Sequence, residues 1–444
     1  MTQHLVLGLG ITGRAVLRAL AARGEGALVV DDRPTDAGRA LAEELGVELV
    51  ESPDPSSLDA LVRRSDAVLP SPGVPDHHPV FAAAAAATVP ILSEFDLASR
   101  WDDRPHVAIT GTNGKTTVTE LTRAMLEASG RRAVAVGNTE VPLVAAIDDP
   151  TVDVFVVEAS SFRLLHSRSY APAVGIWLNL APDHLDNHAT LDAYTAAKAR
   201  LWADQRPDQV AIGNADDPVV AAHLATAPAR HVTFGMVADA DFRLEGERLV
   251  LGDDSTLATL DELHRAFPHD LANALAAAAG TVHGTGSAAG ARAALLAFRG
   301  LPHRVALVGE AGGVRWYDDS KATAPHATRA ALGGFDSVVL IAGGRNKGLD
   351  LGELAASADR VRAVVAIGEA AGDVSAAFDG RRPVHVASSM DHAVQEAASL
   401  ARPGDVVLLS PACASFDWYA SYAERGDDFV RAVREHLAAA GASA

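Results

Sequence analysis

The sequence contains one cysteine, Cys413, so no disulfide can form within the chain and a reducing compartment suits it. Without a partner base at a telling spacing, Cys413 reads as a small packed thiol rather than a nucleophile. Aromatic residues are also scarce, at 5% of 444 positions, which leaves Ala, Val and Leu to fill the cores. No run reaches the roughly 20 apolar residues of a membrane-spanning helix. The opening residues lack a basic flank and a signal-type apolar segment. These absences set the expectation of a cytoplasmic protein with no membrane partner, and a monomer is expected. Positive charge is short as well: 38 Lys and Arg stand against 57 Asp and Glu, a formal charge of −19. That balance argues against nucleic acid as a partner, although a local cationic cleft can still take a phosphorylated substrate. The length exceeds what one core supports and points to about three domains.

What is present centres on residues 107–117, VAITGTNGKTT. A short buried strand leads into the turn Gly111, Thr112, Asn113, Gly114, and a helix is expected from Lys115 or Thr116 to about Ser129, stopped by Gly130. Backbone N–H groups and the helix N-terminus offer a fixed dipole to phosphates, Lys115 offers a charge, and Thr116, followed by Thr117, offers a hydroxyl to Mg²⁺. A strict Walker A pattern would place Gly where Ile109 stands, yet the GKTT chemistry is intact.

Residues 1–97 read as a first domain. Strand 4–8 enters Gly8-Leu-Gly10-Ile-Thr12-Gly13, a helix runs to about Arg23, and a second strand ends at Asp31-Asp32. Taken alone, this fingerprint suits a dinucleotide, or any other ribose- or pyrophosphate-bearing ligand. A helix near 36–45 and a strand near 47–50 follow. The strand AVLP then delivers Ser71, Pro72 and Gly73 to a strand end, where ligands of α/β sheets sit.

The central domain is expected over 98–299. Apolar runs 133–136 and 153–157 read as buried parallel strands ending at Gly137-Asn138 and at Glu158-Ala-Ser160-Ser. Glu158, beside the phosphate loop, can hold Mg²⁺ directly or through water. A strand over 173–178 leads to Asp183, His184 and Asp186, a set that suits a divalent ion, although His and Asp also pin loops. Lys198, on a following alanine-rich helix, reads on its own as a solvated or snorkelling lysine. Residues 242–251 read as an irregular β-rich patch before two long helices.

Residues 300–444 form a third α/β unit with strands near 305–308, 337–341, 364–367, 384–387 and 406–409. Three loops carry polar residues that folding does not require: Asp318-Asp319-Ser-Lys321-Ala-Thr323, Gly343-Gly-Arg345-Asn-Lys347-Gly, and Ser410 through Ser415 to Tyr419. With Arg304, their cationic tips on an acidic chain suggest an anionic ligand. The fold class is therefore α/β in three domains: Rossmann-like, P-loop mononucleotide-binding, and again Rossmann-like.

Together TGTNGKTT, EASSF, NLAPDHLD with Lys198, GLPHR, DDSKAT, GGRNKG and LLSPACASFD resemble the Mur ligases over all three domains. The resemblance implies an ATP-dependent ligation of D-glutamate to UDP-N-acetylmuramoyl-L-alanine through an acyl phosphate, in peptidoglycan-precursor synthesis. It implies the UDP substrate on the first domain, at Thr12, Asp31, Asp32, Ser71 and Gly73, with Asn138 and Ser160, and so replaces the dinucleotide reading. It implies ATP at Gly111–Thr117, Asp270, Asn273, Arg304, Asp319 and Lys321. Catalytic roles fall on Lys115, Glu158, His184 and Lys198. Two Mg²⁺ ions are implied, held by Thr116 and Glu158 and by His184 and a CO₂-derived carbamate on Lys198. The amino acid falls to Lys321, Thr323, Lys347, Ser415 and Tyr422. Two departures stand out: Thr139-Glu140 where the family usually has Ile-Gly, and Asp270 where it usually has Asn. They leave room for a relative that uses another acidic amino acid, such as L-glutamate, or a modified UDP-sugar acceptor.

Overall fold

The computed structural model describes residues 2–184, 187–188 and 190–439. Among them the chain forms two compact units, one running to His264 and including Leu271–Phe298, the other comprising Arg265–Asp270 and the chain from Arg299. No described helix is long and apolar enough to cross a membrane.

The first unit contains two sheets. One is parallel, in the order Glu48–Glu51, Gly26–Asp31, Gln3–Leu7, Ala67–Pro70. Its chain order reverses beside Gln3–Leu7, so the turn after that strand and the Ser71 loop after Ala67–Pro70 open into one crevice. The helix Ile11–Ala22 begins within the glycine turn, and Asp36–Leu45 falls where the sequence places it.

The second sheet has seven parallel strands in the order Phe242–Glu245, Arg230–Gly235, Val210–Asn214, Val174–Trp177, His106–Thr110, Val154–Glu158, Ala133–Gly137. Two antiparallel strands, Arg248–Val250 and Thr256–Thr259, extend the Phe242–Glu245 edge. The β-rich patch 242–251 is therefore the parallel edge strand Phe242–Glu245 and the first strand of an antiparallel extension whose register shifts between Leu249 and Val250. His106–Thr110 and Val154–Glu158 are buried along their whole length, as continuous apolar runs with helices on both faces require. The phosphate loop leaves His106–Thr110, the strand at which the chain order of this parallel sheet reverses. Helix Lys115–Ala128 follows it, and Gly130, with φ of 81°, ends the turn beyond.

The second unit carries a six-stranded sheet. Its parallel part runs Val314–Asp318, Val406–Leu409, Val338–Gly343, Val361–Ile367, Val384–Val386. The sequence reading missed Val314–Asp318. It pairs antiparallel with Ala306–Ala311 around Gly312-Gly313, whose φ angles of 59° and 77° make the tight turn. This strand makes the three polar loops emerge from the carboxyl ends of three adjacent strands, Val314–Asp318, Val406–Leu409 and Val338–Gly343.

One buried ion pair ties the two sheets of the first unit together. Arg163 Nη1 donates to Glu94 Oε1 at 2.6 Å, and Nη2 donates to Thr12 Oγ1 at 3.0 Å. Glu94 also accepts from Val144 N at 2.9 Å. Removing one partner leaves the other charge buried and unpaired, so Arg163→Ala is expected to cost about 3–5 kcal/mol in urea unfolding; a loss below about 1 kcal/mol, the range of an exposed pair, would contradict this account.

Candidate active site

The phosphate loop is held from the neighbouring strand. Asn179 Oδ1 accepts from Thr112 N at 3.1 Å and Asn113 N at 2.8 Å, while its Nδ2 donates to Asn113 O at 3.2 Å. Thr112 Oγ1 accepts from Ala181 N and from Tyr194 OH. Gly114 has φ of 84°, and a Cβ there would lie 2.6 Å from Asn273 Oδ1. The position admits glycine because of both its backbone angle and the packing of Asn273 over the turn. Asn179 carried no role in the sequence reading, although NLAPDHLD contains it.

Two amines converge on this loop. Lys115 Nζ donates to Gly111 O at 2.8 Å and Thr112 O at 3.0 Å, and Lys198 Nζ donates to the same Gly111 O at 2.8 Å. Lys198 is 1% exposed, with its amine 4.4 Å from the Tyr194 ring centroid, which corrects the snorkelling reading. Burial holds its pKa well below the usual lysine value, and the charge of Lys115 pushes the same way against the opposing pull of Asp183.

Glu158 lies level with Ile109 in the adjacent strand. It is buried, and among the described residues its carboxylate accepts one hydrogen bond, from Asn138 Nδ2 at 3.0 Å. Asn138 N also donates to Glu158 O at 2.8 Å. Ser160 caps the following short helix, with its hydroxyl buried and unpartnered among the described residues. His184, with φ of 55°, packs edge-on against Phe162 at 5.0 Å between ring centroids. Asp183 lies close to His184, whereas Asp186 falls outside the described residues.

Mg²⁺ fits this donor set. A buried carboxylate with free lone pairs stands beside a loop carrying the Thr116 hydroxyl, and both are hard oxygen donors. Among the described residues no three His, Cys, Asp or Glu side chains form a ready cage.

In the first sheet, Thr12, Asp31, Asp32, Ser71 and Gly73 line one crevice of about 450 Å³. Asp31 accepts from Leu9 N at 2.6 Å and Arg33 N at 2.8 Å, and Ser71 Oγ donates to Gly8 O at 2.7 Å. Both therefore shape the turn as well as facing the crevice. Asp32 lies 3.2 Å from His78 Nε2. Thr139, one of the departures from the family pattern, also lines this crevice, as do Arg33, His78 and Arg163, which were not singled out from the sequence. Only fold topology brings them there, so no local pattern marks them. Glu140 is exposed.

In the second unit, Asp270 meets Arg265 at 2.9 and 3.2 Å, so the acid at this departure from the family pattern has a cation against it. His303 and Val305 flank Arg304 with φ of 59° and 48°. Asp319 is buried, accepts from Ser410 Oγ at 2.7 Å, and has its carboxyl pushed up to about 7 by burial. Lys321 Nζ lies 4.8 Å from the Tyr422 ring centroid. Thr323 and Lys347 are half-buried, and Ser415 is buried. Burial also raises the Cys413 thiol to about 12, in keeping with a packed side chain.

Three family models cover the chain: the Mur ligase MurD-like N-terminal domain over residues 2–93, the Mur ligase middle domain over 109–280, and the Mur ligase glutamate ligase domain over 303–413. A UDP-N-acetylmuramoylalanine–D-glutamate ligase of Frankia casuarinae is 46% identical, aligned over 97% of this chain and 93% of its own. The protein of that name from Nitrosococcus oceani is 39% identical over 98% and 96%. A pseudomurein peptide ligase type C from Methanothermus fervidus superposes with a TM-score of 0.63 over 98% of this chain and 100% of its own; at 18% identity this likeness concerns the fold.

The Lys198 environment has a measurable consequence. Below the unfolded value of 10.5 and above the lowered folded one, the unfolded chain binds the extra proton, so stability rises with pH across that window. In CO₂-free and metal-free buffer, Lys198→Met is expected to remove a rise of up to about 1.4 kcal/mol per pH unit inside that window. Urea unfolding at several pH values from neutral upward measures it, and equal slopes for the two proteins would contradict the neutral-amine account.

Proposed function

Because the chain belongs to the Mur ligase family, we propose that it joins D-glutamate to UDP-N-acetylmuramoyl-L-alanine at the expense of ATP, yielding ADP and phosphate for peptidoglycan-precursor synthesis. The observation that carries this reading is the convergence of Lys115 and Lys198 on Gly111 O in a loop that also presents a helix N-terminus. That arrangement sets the Lys115 charge and the helix dipole where a γ-phosphoryl group would transfer, with the buried Lys198 amine beside them. Nearly full-length relatives named for this reaction support the choice of substrates.

The chemistry follows from the weakness of a carboxylate as an electrophile. An oxygen of the L-alanyl carboxylate attacks the γ-phosphorus, the bond to the β-phosphate oxygen breaks, and ADP leaves. The D-glutamate amine then attacks the acyl carbon, the carbon–oxygen bond to phosphate breaks, and the amine loses a proton. Lys115 holds the β/γ-phosphates and offsets charge developing on the transferring group. The loop N–H groups orient the phosphates before reaction, so little reorganisation is needed. Mg²⁺, held by Thr116 and Glu158 with a second ion at His184 and Lys198, would supply Lewis-acid stabilisation of phosphoryl oxygens.

An ammonium at Lys198 would repel those ions. The buried, depressed amine is suited to react with CO₂ instead, forming a nitrogen–carbon bond and releasing one proton. The resulting carbamate is a hard oxygen ligand. Thr12, Asp31, Asp32, Ser71, Gly73, Asn138 and Ser160 take the UDP substrate. In the second unit, Lys321, Thr323, Lys347, Ser415 and Tyr422 take D-glutamate.

Phosphate release from ATP with UDP-N-acetylmuramoyl-L-alanine tests the reading, with D-glutamate, L-glutamate and D-aspartate compared. Activity confined to D-glutamate is expected, and a preference for either of the others would replace the substrate assignment. Lys115→Ala should lower turnover at least about a hundredfold while leaving UDP-substrate binding within severalfold, because its charge acts mainly in the transition state; near-normal turnover in the purified variant would sink the assignment. Bicarbonate depletion should lower activity reversibly, and Lys198→Arg should not restore it because it keeps the repelling charge. Full activity in either experiment would rule out the carbamate.

A further inference from the structure

The second unit encloses a guanidinium that the reaction above leaves without a task. Arg425, in the first turn of helix Tyr422–Ala439, is 1% exposed. Among the described residues all its hydrogen-bond partners are neutral oxygens. Nε donates to Ser320 Oγ at 3.0 Å, Nη2 to Ser320 O at 2.8 Å, and Nη1 and Nη2 each to Cys413 O at 3.1 Å. Asp417 and Asp318 act on it only through longer-range attraction. Burial lowers its pKa to about 10, which still leaves it charged at neutral pH.

A charge buried without a paired carboxylate is costly, so its surroundings matter. Ser320 precedes Lys321 in the first polar loop, and Cys413 lies two residues before Ser415 in another. The third loop also packs on the guanidinium: a Cβ on Gly344 would lie 3.0 Å from Arg425 Nη1. The loops are cross-bonded around it. Ala412 N donates to Ala322 O at 2.9 Å, and Arg345 and Ala414 exchange backbone bonds at 2.8 and 3.0 Å. Ser320 Oγ donates to Tyr422 O at 2.7 Å, which joins the helix start to the same cluster. Ala412 has φ of 59°, a left-handed conformation that a residue with a Cβ keeps when its surroundings hold it there.

We infer that Arg425 is the positioning residue of the amino-acid subsite: it locks the three polar loops in register and lends the site a fixed positive field toward an anionic amino acid. The inference rests on the reading that this unit takes D-glutamate. Its fork of five donors suits the task because it reaches two loops at once, which a lysine cannot do. Being buried, it acts through Lys321, Ser415 and Tyr422 rather than by touching substrate.

The test measures KM and kcat for all three substrates in the full-length wild type and in Arg425→Lys, Arg425→Met and Ser320→Ala. Wild-type turnover with D-glutamate comes first, and its absence overturns the substrate reading itself. With that turnover present, Arg425→Lys is expected to raise the D-glutamate KM about tenfold and Arg425→Met more, with ATP and UDP-substrate KM within about twofold. Ser320→Ala, which keeps the guanidinium but removes a bridge, should raise the D-glutamate KM severalfold. Equal shifts in all three KM values, or a pure loss of kcat, would overturn the inference while leaving the reaction intact. Should the Arg425 variants fail to fold, an unchanged D-glutamate KM in Ser320→Ala overturns it.

Discussion

The carbonyl oxygen of Gly111 accepts from two lysine amines, and the chemistry of the first unit depends on that sharing. Burial drives Lys198 toward its neutral form, and the charge of Lys115 at the same oxygen pushes the same way. Lys115 stays at the head of its helix, where the helix dipole adds to its charge. The loop thus separates a lysine at a helix N-terminus from a buried amine that favours its neutral form. Asn179 makes the separation possible by fixing the loop from the adjacent strand, with both its carbonyl oxygen and its amide nitrogen engaged.

Topology repeats the same solution in each sheet. The crevice lined by Thr12 and Ser71, the phosphate loop, and the three polar loops all lie beyond carboxyl ends of parallel strands. At these ends the backbone is released from its ladder, and side chains of distant sequence meet. The rigid partners lie behind or beside them. Arg163 forms part of the wall of the first crevice and Arg425 lies behind the three loops, each a buried guanidinium that joins segments rather than decorating a surface. Arginine suits this work because its donors lie in a fixed plane.

Local chemistry was legible in the sequence, and through-space chemistry was not. The phosphate loop, its helix and the buried strand ending at Glu158 could be read because each signal spans a few consecutive residues. The three-domain α/β class followed from alternating apolar runs, in agreement with the three family matches. The hairpin strand Val314–Asp318 was missed although Gly312-Gly313 marks its turn, because its Arg315 and Asp318 obscure the apolar pattern. Arg163, Asn179 and Arg425 were missed for a different reason: their partners lie far along the chain, at Thr12 and Glu94, at Thr112 and Asn113, and at Ser320. The Asp270 departure looked isolated in sequence, whereas Arg265 stands against it in space.

An acyl-phosphate route requires that the substrate carboxylate, rather than water or the amine, receives the γ-phosphoryl group. Isotope transfer tests this directly. With both oxygens of the L-alanyl carboxylate labelled with ¹⁸O, the bridging oxygen should depart with phosphate while the other remains in the new amide carbonyl. Mass spectrometry of the released phosphate is expected to find one ¹⁸O per turnover, dependent on D-glutamate. Unlabelled phosphate released in step with peptide formation would contradict the acyl-phosphate route.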